Sequence, residues 1–170
     1  MKPEQDLEKI IENTEPTDSI KEKVVDTVGN ITYSLMVGSA LDYCSGLNCS
    51  GIITSRASAT AMNAATGAPY GMWRNLLYRV TKTDEKSGAV RKFILDLVAF
   101  NSFQLPIYAI AIGAGSRFSE GEVNWEKVRA GAEYLAMISP IIGPTLGWYM
   151  DGIRKLFGMR SASQKVNKYK

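Results

Sequence analysis

The 170 residues contain no histidine, which removes the commonest metal ligand and the usual general base near neutral pH. Cysteine is scarce as well. Cys44 and Cys49 stand in the run C-S-G-L-N-C, too few thiols for a zinc site without other ligands. A disulfide between them is geometrically open on an oxidising face, but two unpaired thiols are the expectation. With neither a nucleophile–base pair nor a metal set, the chain is not expected to be an enzyme, and nothing calls for a cofactor. The acidic N-terminus lacks an apolar h-region, so no signal peptide is read there. The net charge of +3 is too small and too divided to suggest nucleic acid.

Long hydrophobic runs are also nearly absent, with one exception. Leu97 to Ser116 is twenty residues without a charge, and a helix of that length spans about 30 Å, the thickness of a bilayer's hydrocarbon core. Asn101, Ser102, Gln104 and Pro106 lie in its middle. A spanning helix with amides at mid-depth must face other helices or a wet cavity.

The mean hydropathy of −0.09 and 22% charged residues suit a soluble domain, but the average conceals clustering. Seven of the 17 acids lie in residues 1–23, and twelve of the 20 bases lie in residues 74–92 and 154–170. Between these blocks the chain is depleted of charge. Val24 to Leu47 has an uncharged core bracketed by Asp26 and Asp42. After Arg56 come seventeen uncharged, mostly small residues, which suit close helix approach inside a bundle. Pro69 would kink or end that helix. Tyr134 to Met150 is a further uncharged stretch, containing Pro140 and Pro144.

The expected architecture is an all-α membrane protein of four transmembrane helices, with spans at about 25–46, 54–74, 93–115 and 131–153. An acidic leader (1–23) precedes this 24–157 domain, and a basic tail (158–170) follows it. Six bases between spans two and three, and six in the tail, put both termini in the cytoplasm. Arg74, Arg154 and Lys155 then read as positive-inside anchors. Four short helices enclose little volume, which leaves a homodimer or larger assembly open without deciding it.

The spans also repeat. V-V-D-T-V-G-N-I-T-Y at the start of span one aligns with I-L-D-L-V-A-F-N-S-F at the start of span three, Asp26 matching Asp96. Gly71, Trp73 and Asn75 have the spacing of Gly147, Tyr149 and Asp151. Each unit is a two-span hairpin entered through an aspartate and left through Gly-x-aromatic-x-Asn/Asp. An even number of spans preserves orientation, so the hairpins should be parallel repeats.

In this setting Pro69-Tyr70-Gly71-Met72 with Arg74 is a family mark. So are Asp26, Tyr33, Asp42, Ser55-Arg56 and Asn63, then Asp96, Ala99, Phe103, Gln104, Pro106 and Tyr108, then Gly143, Gly147, Asp151 and Arg154. In this order the chain resembles the small AlaE-type L-alanine exporters of bacterial inner membranes. The resemblance covers nearly all of residues 24–157. Departures are Asn75 in place of an aspartate, the small residues at 64–68, Glu133 and Pro140. It implies export of L-alanine, or a similar small neutral amino acid, driven by the proton motive force.

A zwitterionic substrate needs groups for its carboxylate and its ammonium. Arg56 can grip a carboxylate with two parallel hydrogen bonds. Asn63, Asn101 and Gln104 should lie near mid-depth, and Tyr70 belongs to the PYGM mark; these complete the candidate substrate set. The carboxyls placed to couple protons or gate are Asp26, Asp42, Asp96 and Asp151, since desolvation raises a carboxyl pKa toward neutrality. Asp42 and Arg56 are expected to pair near the outer face. Two other readings fit the composition: a non-transporting membrane scaffold whose amides only join helices, and a soluble helical interaction domain.

Overall fold

A computed structural model describes residues 20–44 and 49–166, and every regular element among them is helical. Helix α1 (Ile20–Tyr33) passes through a π turn (Ser34–Gly38) into α2 (Ser39–Cys44). Then come α3 (Cys49–Val80), α4 (Ala89–Glu120), α5 (Trp125–Leu156) and the short α6 (Ala162–Val166). Residues 1–19, which hold most of the acidic leader, lie outside the described residues, as do the side chains of Asp42 and Cys44. Cys49 is an exposed free thiol.

Helices α3, α4 and α5 are 32 residues each, or about 48 Å at 1.5 Å per residue. Pro69, Pro106, Pro140 and Pro144 all lie inside them, and the helix continues past each. Local signals set the ends. Gly121 closes α4 in the left-handed conformation (φ 82°), its N–H donating to the Arg117 carbonyl at 3.1 Å. In α5, Glu126 in the first turn and Arg154 and Lys155 in the last complement the helix dipole.

The Cα packing divides the chain into two units. Among the described residues, unit 1 comprises 20–44, 49–86 and 149–166, and unit 2 comprises 87–148, so α5 begins in unit 2 and ends in unit 1. In unit 1, α1 packs on α3, and Tyr33 meets Tyr149 with ring centroids 5.5 Å apart. Tyr70, Tyr78 and Met150 are fully enclosed there. In unit 2 the buried apolar residues are Leu95, Ala99, Phe100 and Leu146.

The polarity is inside out. Asp26, Arg74, Asn75, Asp96 and Arg154 are buried, whereas Val90, Ile94, Val98 and Ile110 of α4 and Met137, Ile141 and Trp148 of α5 are exposed. Water as solvent drives the opposite arrangement, with apolar groups inside and charges out. By length and composition one helix among the described residues qualifies to cross a membrane, Ala89–Ala114 within α4, with mean hydropathy 1.5. Only 17% of its most apolar window is buried, unlike the core helix of a soluble domain.

Candidate functional site

Two arginine–aspartate pairs stand close together in unit 1. Arg154 grips Asp26 with both arms of its fork, Nε to Oδ1 at 2.7 Å and Nη2 to Oδ2 at 2.6 Å. Its remaining arm, Nη1, donates to Asn75 Oδ1 at 2.7 Å. One helical turn away, Arg74 holds Asp151 in the same two-armed manner, at 2.7 and 2.8 Å, and lies 5.0 Å from the centroid of the Tyr78 ring. The Ala162 N–H donates to Asp151 Oδ1 at 3.2 Å. Each buried arginine is matched by an aspartate, Asp26 buried and Asp151 partly exposed, which is what makes the burial of the arginines tolerable. Asn75 Nδ2 is buried there without a hydrogen-bond partner.

Arg74 and Arg154 are thus not the solvated anchors expected from the positive-inside count: each is 0% exposed and committed to a carboxylate. Lys155 is exposed. Glycine makes the close packing possible. A Cβ on Gly71 would collide with the Asp26 carboxylate, and a Cβ on Gly67 would lie 2.7 Å from the Thr27 Cα and 3.4 Å from the Asp26 carbonyl.

Unit 2 repeats these contacts with its own residues. A Cβ on Gly147 would collide with the Asp96 carboxylate, which is fully buried. One on Gly143 would lie 3.3 Å from the Leu97 Cα and 3.4 Å from the Asp96 carbonyl. Each unit also has an amide bridge. Asn30 Nδ2 donates to Asn63 Oδ1 at 3.3 Å in unit 1. In unit 2, Asn101 Nδ2 donates to Ser139 Oγ at 2.9 Å and to the Leu97 carbonyl at 3.0 Å.

The π turn forms a separate locus. Arg56 Nη1 donates to the Ser34 carbonyl at 2.9 Å and to Ser34 Oγ at 3.3 Å, while Nη2 reaches Ser55 Oγ at 3.1 Å. A Cβ on Gly38 would collide with the guanidinium. A π turn adds a residue to the helical circuit and disturbs the i→i−4 ladder, leaving a carbonyl such as that of Ser34 open to a side-chain donor. The expected Asp42–Arg56 pair lies outside the described residues on the Asp42 side.

The candidates therefore fall into local groups. Asp26 and Asp151 each pair with a buried arginine, Asn63 bridges to Asn30, Asn101 to Ser139, and Arg56 sits at the π turn. Tyr70 is fully buried and Gln104 half-buried. Glu133 pairs with Arg129 at 2.7 Å on an exposed turn. Sequence reasoning missed Asn30 and Ser139 as bridging partners, and Arg74 and Arg154 as clamps. Local spacing misleads for the clamps: Asp151 lies one turn before Arg154, yet Arg154 pairs with Asp26 and Asp151 with Arg74.

A family model of L-alanine exporters, AlaE, matches residues 15–160. The L-alanine exporter AlaE of Salmonella typhimurium strain LT2 is 27% identical over 153 residues, covering 88% of this chain and 96% of that protein. Its counterpart in Escherichia coli K12 is 27% identical over 156 residues, covering 91% and 95%. The Citrobacter koseri protein of the same name is 27% identical over 151 residues, covering 88% and 96%. No solved structure matches. By a family match that takes in both glycine-cradled aspartates and both buried arginines, the chain belongs to the AlaE family of L-alanine exporters.

Proposed function

We propose that this chain exports L-alanine, or a closely similar small neutral amino acid, across the cytoplasmic membrane of a prokaryote, driven by the proton motive force. The observation that carries the proposal is the family match over residues 15–160. The inside-out polarity supports the membrane setting, since the exposed apolar faces of α4 and α5 suit lipid.

Four spans, arranged as two parallel-repeated hairpins with both termini cytoplasmic, are part of the same proposal. The recurring contacts of Asp26 with Gly71 and of Asp96 with Gly147 support the repeat. In this reading Arg56 takes the substrate carboxylate, with Asn63, Tyr70, Asn101 and Gln104 as further substrate contacts. Asp26, Asp42, Asp96 and Asp151 are the carboxyls through which protons or gating act. The buried pair Asp26–Arg154 and the half-buried pair Asp151–Arg74 suit a cycle in which ion pairs open and re-form, because a buried arginine leaves its carboxylate only when another group satisfies its charge.

Uptake of labelled alanine into everted membrane vesicles, with and without an uncoupler, tests the proposal. Accumulation that the uncoupler abolishes is expected. A membrane scaffold would give none, and a soluble domain would be recovered in the supernatant after carbonate washing.

A further inference from the structure

The segment after α5 has no part in the export roles assigned above, yet it is built into unit 1. Helix α5 ends with the Met159 N–H donating to the Arg154 carbonyl at 2.8 Å, and Gly158 takes a left-handed turn (φ 70°) that only glycine adopts without strain. The chain reverses there and starts α6 with a reciprocal cap. The Ser161 N–H donates to Gln164 Oε1 at 3.0 Å, and the Gln164 N–H donates to Ser161 Oγ at 3.3 Å.

The returned segment is buried. Ala162 is 0% and Val166 5% exposed, and the Ala162 N–H reaches the Asp151 carboxylate that Arg74 holds. Lys165 Nζ pairs with Glu22 Oε2 at 2.7 Å, both side chains close to nine-tenths buried. Two lighter contacts flank this pair: Gln164 Nε2 to Glu85 Oε1 at 2.7 Å, exposed, and Lys21 Nζ to the Phe157 carbonyl at 3.2 Å. The segment joins α5 through a glycine turn and is held against unit 1 by the Lys165–Glu22 ion pair, by the Ala162 and Gln164 hydrogen bonds and by the burial of Ala162 and Val166. That is the construction of a hinged cover: pivot, body and clasp.

We propose that residues 157–166 form a lid over the Asp151–Arg74 pair, clasped by Lys165 to Glu22, and that opening this lid controls access to that pair during export. The lid rests on the export reading for its effect on rate but not for its motion. Ser161, Gln164 and Gly158 shape it locally, so it moves as a body, and the Lys165–Glu22 clasp is the ionic part of what holds it closed. Opening removes the Ala162 hydrogen bond from Asp151 and leaves Arg74 holding the carboxylate.

The test uses the full chain with Cys44→Ser and Cys49→Ser as parent. Glu22→Cys and Lys165→Cys, joined by a short bifunctional methanethiosulfonate, should lower alanine export from proteoliposomes roughly tenfold, with recovery on reduction. Wild-type export by the joined protein overturns the lid. Independently, Ser163→Cys, at a position 7% exposed, reports opening by its rate of maleimide labelling in detergent. Adding Lys165→Glu, which faces Glu22 with a like charge, should speed labelling roughly tenfold, and the swap Glu22→Lys with Lys165→Glu should restore the slow rate. Equal labelling in all three overturns the proposal. A parent that labels as expected but exports no alanine refutes the export reading and leaves the lid standing.

Discussion

The Asp26 carboxylate fills the space that a side chain on Gly71 would need, and Arg154 pins it there with two hydrogen bonds of 2.6 and 2.7 Å. The carboxylate cannot swing aside without losing its guanidinium partner. Asp96 stands in the same relation to Gly147 in unit 2. Glycine at these two positions is therefore a condition for burying an aspartate against a neighbouring helix, and it accounts for the glycine of the recurring Gly-x-aromatic-x-Asn/Asp pattern.

Gly71→Ala and Gly147→Ala should each destabilise the protein by about 1–3 kcal/mol, the usual cost of overpacking a filled site. Gly152→Ala is the control: it is helical, and a Cβ there meets nothing within 4 Å. It should be neutral, or stabilising by up to about 1 kcal/mol, through helix propensity. Thermal unfolding in detergent, followed by retention of a monodisperse peak, separates the three. Equal stability of Gly71→Ala and Gly152→Ala would mean that the Asp26 contact constrains nothing.

That recurrence was legible because glycine and aspartate keep their chain spacing whatever the packing. The arginines were not, because counting bases near span ends treats each as a solvated charge, and Arg74 and Arg154 instead meet Asp151 and Asp26 from 77 and 128 residues away. The π turn at Ser34–Gly38 leaves no mark in hydrophobic period, and only Gly38 hints at it. The cap formed by Ser161 and Gln164 was readable as S-x-x-Q, but the surrounding lysines and arginines made a basic tail the more natural interpretation. Apolar periodicity signals burial, whereas here burial is filled with charge and the apolar residues face outward.

Breaking one side of the Asp26–Arg154 pair strands a buried charge. Arg154→Gln alone should cost about 3–5 kcal/mol, whereas Arg154→Gln with Asp26→Asn should recover a substantial part of it, since two amides can hydrogen-bond to each other without net charge. A double-mutant cycle on unfolding stability measures the coupling. Additive losses would show that the two residues act separately.

Gly38→Ala should displace the Arg56 guanidinium from the Ser34 carbonyl. If Arg56 receives the substrate carboxylate, the displacement raises the half-saturating alanine concentration roughly tenfold, equivalent to about 1.4 kcal/mol, while the protein still inserts. Arg56→Lys should do the same, because an ammonium cannot reproduce the planar fork. Unchanged saturation in both variants would confine Arg56 to holding the π turn.

The amides separate a binding role from a structural one. Asn101 already has two protein acceptors, Ser139 Oγ and the Leu97 carbonyl, so Ser139→Ala should cost stability by about 0.5–1.5 kcal/mol and leave substrate affinity intact. Gln104 is half-buried in the same helix, three residues on. Gln104→Leu should weaken alanine transport without lowering stability, because leucine suits both lipid and helix. Wild-type kinetics in Gln104→Leu would return it to packing, and a lost affinity in Ser139→Ala would draw the Asn101 bridge into the substrate path.

Coupling is tested most sharply at the four acids, Asp26, Asp42, Asp96 and Asp151, each changed to asparagine. A carboxyl that carries the proton, once neutral, should leave alanine counterflow intact while abolishing accumulation driven by a pH gradient, because exchange needs no net proton movement. A carboxyl that only neutralises a buried arginine should lose both activities together with stability, since its partner is then uncompensated. Asp26 and Asp151 hold Arg154 and Arg74, so their asparagine variants should fall in the second class unless the arginine is changed as well. Asp151→Asn with Arg74→Gln removes both charges. Recovery of counterflow without gradient-driven accumulation in that double variant would identify Asp151 as the proton carrier, and recovery of both would make the Asp151–Arg74 pair purely structural.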